Sequence, residues 1–197
     1  MLERTQRSRS PLLKARLLAG ARTLVPAIFV LGSAAGLAGE SQVGPVVPNF
    51  GPVMTPPAGS YNLDPKVHYK VSMDVSAVAE FPGDQNRHLV SAARFLNMHA
   101  QSGIPQENIN FALIVHGKAA KDLLTDTAYE ARFNEANPNS ALLGELAEAG
   151  VSIYLCSQTA AFRGMQPGEF SPTVTMSVSA MTAHVRLQQE GYTLIPF

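Results

Sequence analysis

From residue 67 onward, apolar and polar positions fall into short blocks that switch between the two-residue period of a strand and the 3.6-residue period of a helix. Val67 to Val75 (VHYKVSMDV) is rich in β-branched and aromatic residues, which predicts a strand, and Pro82-Gly83-Asp84 breaks it. Gln85 to Gln101 sets Leu89, Ala92, Ala93, Leu96 and His99 or Ala100 at helical spacing, and Gly103 and Pro105 stop that helix. Asn108 to Val115 (NINFALIV) is a near-continuous apolar run, the pattern of a strand covered on both faces. Three helices are predicted next: Lys118 to Leu124, Thr127 to Ala136, and one capped by Asn139-Ser140 that runs to Ala149 before Gly150 ends it. Val151 to Leu155 reads as a third strand, with a helix after Cys156 that continues to Phe162. Val174 to Met176 reads as a short strand or extended connection, Ser179 to Gln189 as a helix, and Tyr192 to Ile195 as a terminal strand. Repeated strand, helix, strand units imply an α/β fold with a mostly parallel sheet of about five strands and helices on both faces.

Upstream the pattern changes. Arg4, Arg7, Arg9, Lys14, Arg16 and Arg22 stand against a single Glu3, and an apolar run from Leu24 to Leu37 follows. With small residues at Gly36 and Ala38, residues 1–38 read as a secretory signal peptide cut near Ala38, which predicts a periplasmic or secreted mature chain. The run is short for a membrane span, so membrane contact is expected only through this segment before cleavage, an uncut anchor being the alternative. No cysteine lies near the cleavage site, which excludes a lipid anchor there, and no arginine pair marks a twin-arginine signal. Residues 39–66 form a Pro/Gly-rich linker or arm, ten of the 27 residues from Gly39 to Pro65 being Pro or Gly. Such a stretch propagates neither a helix nor a central strand, and it reads either as a mobile spacer or as an arm docked through Val46, Val47, Phe50, Val53 and Met54. Residues 67–197 are the folded domain.

Discounting the signal changes the charge balance. The whole chain has 15 basic and 15 acidic residues, but beyond residue 38 nine basic face fourteen acidic ones, a net charge of −5. A basic footprint for nucleic acid is therefore absent.

The candidate chemistry centres on Cys156, the chain's single cysteine. It cannot form an internal disulfide, so it is buried, paired with another molecule, or reactive. At a strand-to-helix junction the unpaired N–H groups of the helix start favour a thiolate over a thiol. Ligands of an open α/β sheet bind beyond the carboxyl ends of its strands. That rule selects Asp74 after the first strand, His116 and Gly117 after the second, and Cys156, Ser157 and Gln158 after the third. Each has a plainer reading: Asp74 as a loop-amide acceptor, His116 as a turn residue, Cys156 as a small buried apolar group. Other motifs fail. His116-Gly117-Lys118 lacks the earlier glycine and the Ser or Thr of a phosphate loop, and there is no G-x-S-x-G or G-x-G-x-x-G. Five histidines without i, i+4 pairing and one cysteine supply no local zinc cluster, so neither a metal nor a cofactor is expected.

Three blocks carry a family likeness: Ile109 to Gly117 (INFALIVHG), Gly150 to Gly164 (GVSIYLCSQTAAFRG), and Gln189 to Pro196 (QEGYTLIP). With them the chain from about Val67 to Phe197 resembles the DsrE/DsrF-like family of sulfur-relay-like α/β proteins. The resemblance implies a three-layer α/β/α sandwich and a homo-oligomer, a trimer or hexamer, with sulfur donor and acceptor proteins as partners. It places Cys156 where sulfur-accepting members carry a persulfide. His116 or Arg163 would then add positive charge beside the thiolate, and Gln158 and Thr159 would hydrogen-bond the terminal sulfur or a ligand. The alternative function is a non-enzymatic small-ligand-binding or structural oligomeric module in which Cys156 is only buried.

Overall fold

The computed structural model describes residues 41–81 and 83–196; the expected signal segment, residues 1–38, lies outside them. In chain order the strands and α-helices are β1 (Ser41–Gln42), β2 (Val53–Met54), β3 (Tyr69–Val75), α1 (Arg87–Gln101), β4 (Ile109–Val115), α2 (Asp126–Phe133), α3 (Ser140–Glu148), β5 (Ser152–Cys156), α4 (Ser157–Phe162), β6 (Val174–Ser177), α5 (Ala180–Gln189) and β7 (Thr193–Ile195). Five strands make one sheet in the order β6-β5-β4-β3-β7, every pair parallel. Among the described residues no helix is long and apolar enough to cross a membrane.

The pleat divides each strand between two faces. Val71, Met73 and Val75 of β3, Phe111, Leu113 and Val115 of β4, and Ile153 and Leu155 of β5 join one core with α1 (Leu89, Ala92, Ala93, Leu96) and α3 (Leu142, Leu143, Leu146). The alternate residues Ala112, Ile114 and Cys156 pack against Ala180, Ala183 and Leu187 of α5. Helices therefore lie on both faces, as expected for a three-layer sandwich, but unequally: α5 is the one helix whose residues build the second core. This matters for the site, because Asp74 and Ser72 share the parity of Ile114 and Ala112 through the β3–β4 register and so face the α5 side.

Most predicted elements appear within a residue or two, and the exceptions have physical causes. Lys118 to Leu124 is a 3-10 turn, Gly117–Leu123, whose start is tied to β3 by Ala119 N–H donating to Ser76 O (3.2 Å). The helix expected to reach Ala136 ends at Phe133, where Asn134 adopts a left-handed conformation (φ 59°) that closes it. Asn139 precedes α3 but its side chain does not cap it; Asn139 Oδ1 instead accepts from Asn86 N–H (2.8 Å), an interaction across 53 residues. The third strand extends by one residue to include Cys156, which pairs with Ser177.

Of the two forms open to the Pro/Gly-rich segment, residues 44–53 take the docked one, whereas Met54 is 50% exposed and residues 55–66 are almost all exposed. Asn97 of α1, fully buried, accepts from Val46 N–H (3.1 Å) and Val47 N–H (2.8 Å) and donates to the carbonyls of Val47 (3.0 Å), Phe50 (2.9 Å) and Gly51 (3.2 Å). One side chain thus replaces the secondary structure that proline denies this stretch. Val47 and Val53 are buried as a result. Gly51 (φ 66°) passes so close to α1 that a Cβ would strike the backbone of Ala93 and Arg94. Asn97→Ala is expected to lower stability by about 2–4 kcal/mol, because the buried amides and carbonyls of the arm lose their partners. Chemical denaturation, with limited proteolysis between residues 43 and 54, measures both the loss and the release of the arm; unchanged protection of the arm contradicts this account.

Candidate functional site

Three adjacent strands end side by side and deliver three chemically distinct groups. β3 brings Asp74, β4 leads directly into His116, and β5 ends on Cys156. His116 is fixed by its backbone N–H, which donates to Val75 O (2.9 Å). Gly117 follows in a left-handed conformation (φ 58°) that turns the chain beneath Ser76. Ser179 caps α5 by accepting from Thr182 N–H (3.0 Å), and the inward stripe of α5 then presents His184 one turn beyond Ala180.

The central geometry is a carboxylate shared by two imidazoles. His184 Nε2 lies 2.7 Å from Asp74 Oδ1, and His116 Nε2 lies 3.0 Å from Oδ1 and 3.1 Å from Oδ2. An ionised carboxylate only accepts, so both rings present an Nε2–H to it and each keeps Nδ1 as the remaining nitrogen. The side chains grade inward, with Asp74 40% exposed, His116 32% and His184 19%. His184 Nδ1 is buried without a hydrogen-bond partner. Asp74, His116, His184, Cys156, Gln158 and Met181 line one open cavity of about 420 Å³.

Cys156 lies at the floor of that cavity, 7% exposed. Burial pushes its thiol up, but the Thr159 hydroxyl and the backbone N–H groups of Thr159, Ala180 and Gln158 outweigh it and hold the thiol below the ordinary range. No regular side-chain capping bond closes α4 at Cys156. N–H groups from the starts of two helices, α4 and α5, instead converge on the sulfur together with the Thr159 hydroxyl. Thr159 itself is held in place by Gly117 N–H, which donates to Oγ1 (3.3 Å).

Of the residues expected at the site, Asp74, His116, Cys156 and Gln158 share this cavity. Gly117, Gln158, Thr159 and Arg163 line a neighbouring one with Ala161 and Phe162. Arg163 sits at the C-terminal end of α4 and lines the neighbouring cavity rather than that of Cys156, and Ser157 lines neither. The strand-end rule missed His184, which arrives from α5. Its position was still readable, because Ala180, Ala183 and Leu187 mark the buried stripe and residue 184 falls on it. Although two histidines and a carboxylate meet, no group of three His, Cys, Asp or Glu among the described residues is arranged to hold a metal ion.

The family model and one solved structure agree with this architecture. The sequence model of the DsrE/DsrF-like family matches residues 70–197. The protein of unknown function MTH1491 from Methanobacterium thermoautotrophicum superposes with a TM-score of 0.51 at 22% sequence identity, covering 66% of this chain and 99% of that one. The YchN protein from E. coli superposes with a TM-score of 0.47 at 14% identity, again over 66% of this chain and 99% of that one. No curated protein matches the chain.

Proposed function

The chain belongs to the DsrE/DsrF-like family, and from that premise we propose that it is a sulfur carrier in which Cys156 holds a persulfide. The observation that carries the reading is the thiol itself: a strand-end cysteine lining an open cavity, where burial is outweighed by the Thr159 hydroxyl and the N–H groups of Thr159, Ala180 and Gln158, which hold the thiol below the ordinary range. Only the thiolate is nucleophilic, so this environment enlarges the reactive fraction at neutral pH.

The transfer balances without an oxidant. Cys156 gives up its proton, and the thiolate attacks the outer sulfur of a donor R–S–SH. The donor S–S bond breaks as the new one forms, leaving Cys156–S–SH, and R–S⁻ departs and recovers a proton as R–SH. The reverse exchange delivers the sulfur to an acceptor thiol. His116, tied to Asp74 in the same cavity, is the candidate to hold the proton in between.

An exported location and self-association belong to the same proposal. The first is supported by the basic and apolar character of residues 1–38, the second by Met181 and Val185 of α5 and Val178 just before its cap, three large apolar side chains left exposed. Intact-mass spectrometry of the mature chain exposed to a low-molecular-weight alkyl persulfide tests the central claim. A gain of one sulfur atom that maps to the Cys156 peptide and vanishes after prior alkylation is expected; no gain in the untreated chain sinks the carrier reading.

A further inference from the structure

We propose that His184 is a positioning residue of the Cys156 site, one that pins Asp74 from α5 so that Asp74 fixes the tautomer and aim of His116. This rests on the sulfur-transfer reading above for its chemistry, though not for its geometry. Asp74 stands at an exposed strand end, where a carboxylate has many rotamers open to it. The shorter of its imidazole contacts, 2.7 Å against 3.0 Å, comes from His184, which is also the more buried ring.

The two rings are the same chemical group in opposite circumstances. His184 has one nitrogen on Asp74 and the other buried without a hydrogen-bond partner, so Asp74 is the group its ring holds. His116 is more exposed, and with Nε2 held by Asp74 its Nδ1 is the nitrogen left to take a proton from Cys156 and return it to the departing R–S⁻. The other titratable or charged groups around this carboxylate are Cys156 on β5, and Arg87 and His88 of α1, which line an adjoining cavity shared with Asp74.

Two measurements on the mature chain test the proposal. The first is the rate of sulfur transfer from the alkyl persulfide between about pH 5.5 and 9. Partners that orient a functional histidine are worth on the order of 10- to 100-fold in activity. His184→Ala is therefore expected to slow transfer about tenfold at neutral pH and flatten the limb of the profile due to the imidazole. His184→Gln, whose amide can still donate to Asp74, recovers most of the rate. The second is the ¹⁵N spectrum of the His116 ring, expected as a single Nε2–H tautomer in the parent chain and as a mixture in His184→Ala. Parent-like rate, profile and spectrum in His184→Ala overturn the proposal, as does equal impairment of the Ala and Gln variants. A parent chain that takes up no sulfur overturns the carrier reading, while the His116 spectrum still decides the role of His184.

Discussion

Cys156→Ser is expected to abolish sulfur uptake while leaving the fold within about 1 kcal/mol of the parent, since the change is nearly isosteric and the buried hydroxyl keeps N–H groups to accept from. A serine hydroxyl can still receive the N–H groups of Gln158, Thr159 and Ala180, but it does not ionise near neutral pH and cannot form a persulfide. The loss is therefore chemical rather than structural, and intact-mass and melting measurements on the same sample separate the two. The parent thiol gives a matching pH signature. Its folded pKa lies below that of the unfolded chain, so the thiolate stabilises the folded state. That contribution is complete above the unfolded thiol value, 9.0 as the reference, and is lost as the pH falls through the lowered folded value. Thr159→Val removes the hydroxyl that opposes burial and is expected to move the midpoint of iodoacetamide reactivity upward. A midpoint at or above the ordinary thiol value in the parent would contradict the activation described here.

Asp122→Ala is expected to destabilise the fold strongly, by about 2–4 kcal/mol. Asp122 is 2% exposed and sits at the junction of three elements. Its Oδ2 accepts from Asn86 Nδ2 (2.7 Å) and its Oδ1 from Lys121 Nζ (2.9 Å), while its backbone carbonyl accepts from Asn137 Nδ2 (2.9 Å). Asn86 in turn caps α1 by accepting from His88 N–H (2.9 Å) and donates its own N–H to Asn139 Oδ1 (2.8 Å). Removing one member of a buried charged pair costs about 3–5 kcal/mol when the partner is stranded. Here Lys121 is 27% exposed and keeps its bond to Tyr129 OH (2.7 Å), so the lower range applies. Urea denaturation reads the difference directly; a loss under about 1 kcal/mol would mean that the Asn86 and Asn139 contacts hold the junction without the carboxylate.

The contrast between these regions explains what could be read from the sequence. NINFALIV announces a buried central strand because burial on two faces leaves a one-dimensional trace, and GVSIYLC announces its neighbour for the same reason. Cys156, His116 and Asp74 were accessible because a parallel sheet sends every strand end to one rim. His184 was within reach but needed a different question: which polar residue interrupts the apolar stripe of α5. Asn97 shows the limit. It is one polar residue in α1, and nothing local ties it to Val47, 50 residues earlier. Pairings of that kind are set by packing in three dimensions, where local periodicity carries no information. The same holds for Asn139, whose place before α3 suggests a cap and whose side chain serves a helix much earlier in the chain.

The alternation along β3 has a consequence for how this protein can change. Met73 and Val75 point into the packed layer under α1 and α3, while Asp74 between them points to the cavity under α5. Neighbours along the chain thus answer to separate constraints, one set by volume and the other by charge and proton traffic. Substitution can alter the chemistry at residue 74 and leave the packed layer intact, and repacking at 73 need not disturb the cavity. Insertion or deletion of a single residue within β3 cannot do this, because it exchanges the two sets at once, placing a carboxylate in the apolar layer and a methionine among the histidines. The pleat of one strand makes point mutation a graded route to new activity and a length change an abrupt end to both fold and site.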